Sequence, residues 1–554
     1  MNKDFLLIGH PRFIDTELGQ IAEREGQHRA WQILFSQPRF DLATCVAGDF
    51  AVAVRLPDGS VAMAVDRFAI HSLCYRIAQG ELQFAGRADE LADSTTAIDV
   101  QALFDYFHFH CIPSPTTIFH DISRLPAGHL ARLKGGKLDI SPYWRPSFQE
   151  GASPRFAALK EEFIHLLHQA VGRQLDGSKA ACFLSGGTDS STVAGMIGAV
   201  QGQPAATYSI GFEAEGYDEM AFARIAAKRF GTEHHEYYVT PDDLVRGIPA
   251  VACHYDQPFG NSSALPAYYC ARLAAEDGVS RILGGDGGDE LFGGNTRYAK
   301  QRVFGWYDHV PGALRQHVLE PVLDHKLMAQ LPVVSKAKSY VQQARIPMPD
   351  RLQLYNLIHR LGIPEVFSDR FLAAIDLNGP LVHQRAVWAS VQGDCSALNR
   401  LLAFDWRYTL AESDLPKIVG TTSLAGLDVG FPMLDDDLLA FSERLPTAYK
   451  LNGLRLRWFF KAALKGFLPD EIITKKKQGF GLPFGVWAIN HAALRTLAEE
   501  SLRSLVDRRI LQSDFVEALF KRHLPAHPGY YGEMVWISMM LEQWLRGHRS
   551  TFSL

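Results

Sequence analysis

The sequence predicts an α/β protein with a β-rich N-terminal part, a second part built on a parallel sheet, and a helical C-terminal part. Three patterns in the 554 residues indicate this. Short apolar runs broken by turn dipeptides fill residues 1–145, strands then alternate with helices, and helical periodicity dominates beyond Asn295. We therefore expect domains at 1–145 and 161–545, joined by a proline-containing linker at 146–160.

The N-terminal part is predicted to be β-rich from its apolar runs. Four of them are VAGDFAVAVRL, SVAMAVDRF, GELQFAGR and GHLARLKGGKLDI. Turn dipeptides such as Asp58-Gly59 and Gly135-Gly136 break up this part of the chain, as expected between short strands.

The middle of the chain is predicted to form parallel βαβ units. Its strands lie in KAACFLSGG, ATYSIGF, HEYYVT and RILGGDGGDE, and each is followed by a helical pattern or by glycines that open one. In such a sheet, ligands bind at the carboxyl ends of the strands. The sequence therefore places a candidate site where these apolar runs end.

Composition narrows the class of protein. Hydrophobic residues make up 47% and charged residues 21%, and the net charge is -5, so no basic surface indicates a nucleic-acid partner. The seven cysteines form no C-x-x-C pair, which is typical of a reducing compartment. The apolar run before Gly9 is too short for a signal peptide or a membrane span. We expect a cytoplasmic protein without a membrane or nucleic-acid partner.

The segment FLSGGTDSS carries the most specific chemical signal. Small and hydroxyl residues follow a predicted strand and open a helix, where glycines allow close backbone approach and the helix N-terminus attracts an anion. The G-x-x-x-x-G-K-[ST] spacing of a Walker A loop is absent. An ordinary glycine-rich turn is the alternative, but it leaves the S-G-G-x-D-S-S order unexplained.

This order resembles the PP-loop of ATP pyrophosphatases, and further segments resemble the asparagine synthetase family. They are SIGFEAEGYDE (209–219), DQPFGNSSALP (256–266), GGDGGDELFGG, PMLDDDLLAF (432–441) and KKKQGFGLPF (475–484). The resemblance covers about 180–490, with the segments in the family's order. It implies a PP-loop synthetase domain that binds ATP and Mg²⁺.

The resemblance also implies roles for individual residues. The pyrophosphate end of ATP would be held by Ser185, Gly186, Gly187, Ser190 and Ser191. Mg²⁺ would be bound by Asp189 and Asp289, since it prefers carboxylate and phosphate oxygens.

The remaining implied roles concern adenine and the reacting groups. Ile210 and Gly211 would meet adenine, and Gly285 and Asp286 would lie near the α-phosphate and the bound carboxylate. Lys477 would stabilise charge on the transferring group, with Lys476 as the alternative.

The N-terminal segments GDFA (48–51), DRF (66–68) and GELQFAGRADEL resemble the later half of the family's glutaminase domain. That αββα domain starts with a cysteine whose own amine acts as base. Here Met1 precedes Asn2, and Cys45 is internal, so we expect a structural remnant without glutamine hydrolysis. The alternative is that Cys45, Cys74 or Cys111 acts with a nearby histidine, such as His71 or His110.

The substrate stretch departs from the family's pattern. Counted back from Asp435, Val419 and Gly420 replace an Asp–Arg/Lys pair, and Gly430 replaces an arginine. These losses weaken the case for aspartate as substrate. Asp414 and Lys417 restore the charges if the pocket shifts slightly, whereas Lys417 is otherwise a residue of a solvated helix face.

The expected function is an ATP-dependent ligase that converts a carboxylate to an acyl-adenylate and transfers the acyl group to an amine or ammonia. β-Lactam synthetases and lasso-peptide cyclases, which lack the N-terminal cysteine, are the members it resembles. The donor would be a small-molecule or peptide carboxylate, and the nitrogen would come from a substrate amine or from ammonia. A partner that supplies ammonia or delivers the substrate is a further alternative. Alternatives are asparagine synthetase proper, a non-catalytic nucleotide-binding regulator, and a tRNA-modifying PP-loop enzyme.

Overall fold

The computed structural model describes residues 4–151, 154–315, 317, 332–391, 393, 395–476 and 481–554. The N-terminal strands, β1–β10, are Phe5–Gly9, Arg12–Phe13, Val46–Ala47, Phe50–Arg55, Val61–Val65, Cys74–Ala78, Glu81–Ala85, Ser123–Arg124, His129–Lys134 and Lys137–Pro142. Five of them form an antiparallel sheet in the order β1-β4-β5-β9-β10, and three form a second sheet in the order β7-β6-β8. β2 pairs with β3.

Alternation along β4 explains why the two sheets are stacked. Phe50 and Val52 belong to a core shared with helices Thr16–Glu25 and Gln27–Ser36, whereas Ala51 packs in a core shared with the second sheet. Side chains of one strand point alternately to its two faces, so the large sheet is covered on both. With helix Val100–Phe109 beyond the second sheet, the layers follow the predicted αββα arrangement.

The second sheet system is wholly parallel. Its strands, β11–β15, are Ala181–Phe183, Ala206–Phe212, Glu233–Val239, Arg281–Leu283 and Asp428–Gly430. Their spatial order is β13-β12-β11-β14-β15. The four predicted strands and the parallel pairing are confirmed, and β15 is an additional strand at the edge.

Four helices connect these strands and match the predicted helical patterns. They are Thr188–Gln201, Met220–Phe230, Pro241–His254 and Ala264–Glu276. Gly231 ends the second helix with φ of 64°, a left-handed conformation that glycine adopts easily. Thr240 and Asp243 form a reciprocal capping box at the start of the third.

The remaining elements are mostly helical, as predicted. They are Leu42–Cys45, Phe156–Gln174, Gly288–Phe292, Thr296–Gly305, Trp306–His309, Gly312–Leu314, Pro332–Ala344, Asp350–Gln353, Leu357–Leu361, Ile363–Val366, Asp369–Leu372, Gly379–Ser390, Ala397–Asp405, Trp406–Asp414, Leu415–Leu424, Pro432–Leu434, Asp436–Arg444, Thr447–Lys450, Trp458–Ala463, Asp470–Thr474, Phe484–Asn490, Ala492–Asp507, Ser513–Ala518, Leu519–His523, Leu524–Ala526 and Pro528–His548. A short hairpin joins β16 (Leu451–Asn452) to β17 (Arg455–Leu456). Helix Phe156–Gln174 begins within the predicted linker.

One apolar core is built from both halves of the chain. Helix Val100–Phe109 and the C-terminal helix Pro528–His548 contribute to it, and Trp536 and Trp544 are fully buried there. The hydroxyl of Tyr106 donates to the carbonyl of Ile537 at 2.8 Å. No helix in the described part of the chain combines the length and apolar character needed to cross a membrane.

A buried ionic cluster also joins the halves. Glu412 accepts hydrogen bonds from the Ser114 hydroxyl at 2.7 Å and from Arg407 at 2.5 Å, and it pairs with Arg124. Burial alone would raise the pKa of Glu412, but the two guanidinium groups and Ser114 hold it below its ordinary value. A carboxylate satisfied in this way stays charged inside the protein.

Lys450 should give the protein a measurable pH dependence of stability. Its fully buried ammonium donates to Asn399 at 2.9 Å, and burial lowers its pKa to about 7. Above pH 7 the unfolded chain therefore binds this proton more tightly than the folded protein. The unfolding free energy should rise with pH by at most about 1.4 kcal/mol per unit between roughly pH 7 and 10.

Urea denaturation of the wild type and of Lys450→Met at pH 7, 8 and 9 checks this prediction. The methionine variant lacks the titrating group. The unfolding free energy of the wild type should therefore increase relative to that of the variant as the pH rises. Parallel curves for the two proteins would contradict a lowered pKa.

Candidate active site

A cavity of about 460 Å³ opens at the carboxyl ends of β11, β12 and β14, as the parallel sheet predicts. Its lining includes apolar side chains, hydroxyl groups and several carboxylates. The residues that line it include Ser185, Asp189, Ser190, Ile210, Glu219, Ser263, Gly285, Asp286, Asp289, Glu290, Asn295, Thr409, Asp414 and Lys417.

The loop after β11 is shaped for an anion. The hydroxyls of Ser185 and Ser190 lie 3.1 Å apart, and Gly187 caps the N-terminus of helix Thr188–Gln201. Gly186 has φ of 68°, and a side chain there would collide with the backbone of Ala223. The loop therefore brings hydroxyls and the positive end of a helix to the cavity.

Asp189 and Asp289 converge on one guanidinium. Arg457 Nη1 donates to Asp189 Oδ2 at 2.7 Å and to Asp289 Oδ1 at 2.8 Å, and Arg457 Nη2 also pairs with Asp189. Arg457 follows the β16–β17 hairpin with φ of 53° and is 5% exposed, with its guanidinium 4.3 Å from the Phe460 ring. The arginine thus acts as counter-ion to both carboxylates.

The donor set fits both groups that the family implies. Two carboxylates meeting beside a hydroxyl-rich, helix-capping loop are typical of a site in which Mg²⁺ bridges protein and phosphate oxygens. Ile210, Tyr208, Met220 and Ala223 also line the cavity and supply the apolar surface that an adenine ring requires. Asp189 and Asp289 would hold the metal, with Arg457 displaced or retained as a second cation.

A second set of charges surrounds Lys417. Its ammonium lies 3.3 Å from Asp414 and 3.5 Å from Asp286, and Glu290 lines the same cavity. Burial opposes the charge on Lys417, but Asp414 and Asp286 outweigh it and hold its pKa above the ordinary value. Burial raises the pKa of Asp286 and of Glu290. Lys417 is therefore a cavity residue and not part of a solvated helix face.

The predicted site residues fall into three groups in the structure. Seven line the cavity, namely Ser185, Asp189, Ser190, Ile210, Gly285, Asp286 and Asp289. The next four do not line it: Gly186 and Gly187 lie in the loop after β11, Gly211 lies within β12, and Ser191 is fully buried in helix Thr188–Gln201. Lys477 lies outside the described residues.

Lys475, from the same lysine run as Lys477, lies close to the cavity. Its ammonium lies 3.0 Å from Glu219, a lining residue, and 4.3 Å from the Phe222 ring centroid. Lys476, the alternative raised from the sequence, is exposed. Sequence reasoning also missed Arg457 and Glu290. Glu290 stands next to Asp289 in a recognised segment, which was a usable signal, whereas nothing marked Arg457.

Comparison with known families agrees with the architecture. The family model described as asparagine synthase matches residues 162–546, more than half of the chain. The chain belongs to the asparagine synthase family. A glutamine amidotransferase domain model matches residues 37–144, which contain most of the N-terminal sheets.

Individual relatives of this family member are distant. It is 23% identical over 491 residues to asparagine synthetase (glutamine-hydrolyzing) 1 of Bacillus subtilis, covering 87% of this chain and 74% of that protein. It is 27% identical over 417 residues to a putative asparagine synthetase (glutamine-hydrolyzing) of Mycobacterium bovis, covering 72% of this chain and 60% of that protein. Amidase chyE of Penicillium rubens is 23% identical over 550 residues, covering 86% and 76%.

The three cysteines of the N-terminal part lack the surroundings of a nucleophile. Burial raises the pKa of the Cys45, Cys74 and Cys111 thiols. The histidines near them in sequence bind carboxylates instead, since His71 lies 2.9 Å from Asp49 and His110 lies 3.4 Å from Glu533. A reactive thiol needs a lowered pKa, which none of the three has; Cys74 and Cys111 are buried in the core, and Cys45 is partly buried.

Proposed function

We propose that this asparagine synthase family member is an ATP-dependent ligase that adenylates a carboxylate and transfers the acyl group to an amine or ammonia. One observation carries the proposal: a single cavity contains both the anion-binding loop with Asp189 and Asp289 and the Lys417 charge cluster. The loop with its two aspartates suits the phosphates of Mg-ATP, and the Lys417 charge cluster suits a carboxylate and an amine.

The reaction has two steps in this cavity. A carboxylate oxygen of the donor attacks the α-phosphorus of ATP, the bond to the bridging oxygen breaks, and pyrophosphate leaves. The amine lone pair then attacks the acyl carbon, AMP leaves with the carbon–oxygen bonding pair, and the amine loses a proton. Mg²⁺ would neutralise charge on the phosphate oxygens.

Each charge near Lys417 has a use in these steps. The ammonium of Lys417 attracts the donor carboxylate and holds it near Asp286 at the end of β14. Asp414 attracts a positively charged amine into the same space. Burial raises the pKa of Glu290, which makes its carboxylate a suitable base for the proton that the amine loses.

Asparagine synthetase proper is the second candidate, because Lys417 supplies a cation that the family's pocket needs and the Bacillus and Mycobacterium relatives carry that name. The deciding experiment incubates the full chain with Mg-ATP, L-aspartate and ammonium and measures pyrophosphate and asparagine together. Equal yields of both would establish the second candidate. If pyrophosphate is released only with another carboxylate, the broader ligase function is supported. If the protein binds ATP but releases no pyrophosphate with any donor, it is a non-catalytic regulator.

We also propose that the N-terminal thiols take no part in the synthetase reaction. Replacing Cys45, Cys74 and Cys111 together by alanine should leave ammonia-dependent pyrophosphate release within about twofold, since the raised pKa values of the three thiols keep them protonated. Parallel assays with ammonium and with glutamine check this. A selective loss of glutamine-dependent turnover in the triple variant would assign one of these thiols to glutamine hydrolysis.

A further inference from the structure

A second cavity of about 450 Å³ lies beside the first. It is lined by residues of helices Val100–Phe109, Thr296–Gly305 and Gly379–Ser390 and of the π-helix Trp406–Asp414. Thr409 lines both cavities, and Arg297 Nη2 donates to its hydroxyl at 2.7 Å. The hydrogen bond between Arg297 and Thr409 therefore lies where the two cavities adjoin.

Two side-chain amide oxygens that line the second cavity are buried without a partner. They belong to Gln384, which is 3% exposed, and to Gln301. Neither oxygen has a hydrogen-bond partner among the described residues. Leaving such a group unsatisfied costs about 1–3 kcal/mol, so the cavity suits a polar ligand that donates hydrogen bonds.

The charge of the lining selects the ligand. Arg297, Lys300 and Arg351 line the cavity, and none of its described lining residues is a carboxylate. Arg297 is engaged by Asp405 at 3.1 Å, and Arg351 donates to backbone carbonyls. Lys300 instead lies 4.0 Å from the Tyr355 ring centroid, with no ion-pair partner in the described part of the chain. Lys300 is the cation best placed to meet an anion.

The amide groups of the lining indicate what accompanies the anion. Four glutamines, at 301, 343, 353 and 384, line the cavity. Gln343 and Gln353 already bond to protein groups, whereas the side-chain oxygens of Gln301 and Gln384 remain available to accept from a ligand. Amide groups in a ligand match this set, as peptide bonds do. The cations would repel the ammonium of an amine acceptor, so the matching molecule is the donor.

We propose that the second cavity binds the distal part of the donor substrate, an amide-containing chain that carries a second carboxylate. This inference rests on the proposed ligase function, which places the donor's reacting carboxylate at Lys417. The chain would pass Thr409 and present its remote carboxylate to Lys300, with the side-chain oxygens of Gln384 and Gln301 accepting from the amide N–H groups.

Matched probes test the proposal directly. Succinyl-(glycine)n, with n from zero to four, is prepared both as the free acid and as the C-terminal amide, so that each pair differs only in the remote charge. Calorimetric titration of the full chain, with Mg²⁺ and a non-hydrolysable ATP analogue, measures binding without turnover. At the length that reaches Lys300, the acid should bind about tenfold more tightly than the amide.

Two variants and one control locate the effect. Lys300→Glu should abolish the preference for the acid, and Gln384→Leu should weaken both members of the pair. Lys228→Glu is the matched charge reversal, because Lys228 is exposed on helix Met220–Phe230 and does not line the cavity. Equal binding of acid and amide at every length, or a preference that survives Lys300→Glu, would overturn the proposal.

Pyrophosphate release by the wild type separates this proposal from the ligase itself. Release with some donors but no Lys300-dependent preference would overturn the second site alone. A Lys300-dependent preference without release from any donor would uphold the binding site and overturn the ligase reaction.

Discussion

Replacing Asp189 by asparagine should lower ATP-dependent pyrophosphate release by about 1,000-fold. The amide keeps the shape of the side chain but removes the negative charge that a metal requires, and electrostatic groups at such positions contribute about 4 kcal/mol to the rate. Asp189 is one of two carboxylates that converge within hydrogen-bond distance of one Arg457 nitrogen. Single-turnover pyrophosphate measurements over a range of Mg²⁺ concentrations check the prediction.

The control is Asp470→Asn, the same change at an exposed position in helix Asp470–Thr474. Its turnover should match the wild type. Thermal unfolding of Asp189→Asn shows whether lost pairing with Arg457 affects the fold. A folded Asp189→Asn protein with unchanged turnover and Mg²⁺ dependence would remove Asp189 from the metal site.

Replacing Lys417 by methionine should raise the KM for the donor carboxylate at least tenfold and destabilise the protein by about 2–4 kcal/mol. The variant leaves Asp286 and Asp414 facing each other without the cation between them, and part-buried carboxylates without a counter-ion are costly. The KM for ATP should change little, because within the described residues the ion pairs of Lys417 are with Asp286 and Asp414 and not with the phosphate loop. Donor kinetics and urea denaturation provide the two readouts.

The double variant Lys417→Met, Asp414→Asn separates stability from catalysis. Removing one carboxylate should recover much of the lost stability, but the donor would still lack its cation. Lys417→Arg, which keeps the charge, should retain part of the activity. An unchanged donor KM in Lys417→Met would show that the donor carboxylate binds elsewhere.

Local pattern was enough to predict the central sheet. β11 to β14 were identified because each apolar run ends at glycines or at a helix start, which is a signal carried within about ten residues. The edge strand Asp428–Gly430 was missed because it follows a long helical stretch. Its position depends on pairing with β14, and sequence neighbours do not report such pairing.

The candidate site was predictable only where its residues lie in segments that resemble the family's. Asp189 and Asp289 follow strand ends and were assigned from the family resemblance. Arg457 reaches them from a hairpin more than 160 residues further along, where an arginine looks like any surface cation. The sequence also does not decide whether Lys417 lies in the pocket or on a solvated helix face. The face of helix Leu415–Leu424 that carries Lys417 is determined only when the helix packs beside β15. Long-range packing decides both cases.

The apolar core shared by Val100–Phe109 and Pro528–His548 bears on how this protein unfolds. Phe107 packs edge-to-face against Phe367 with ring centroids 5.0 Å apart, and the ring centroids of Phe119 and Trp544 lie 5.9 Å apart. Neither half can be melted without exposing the other's interior, so heating should produce one cooperative transition. For the same reason, substitutions in the N-terminal core should lower the stability of the whole chain, whatever its own cysteines do.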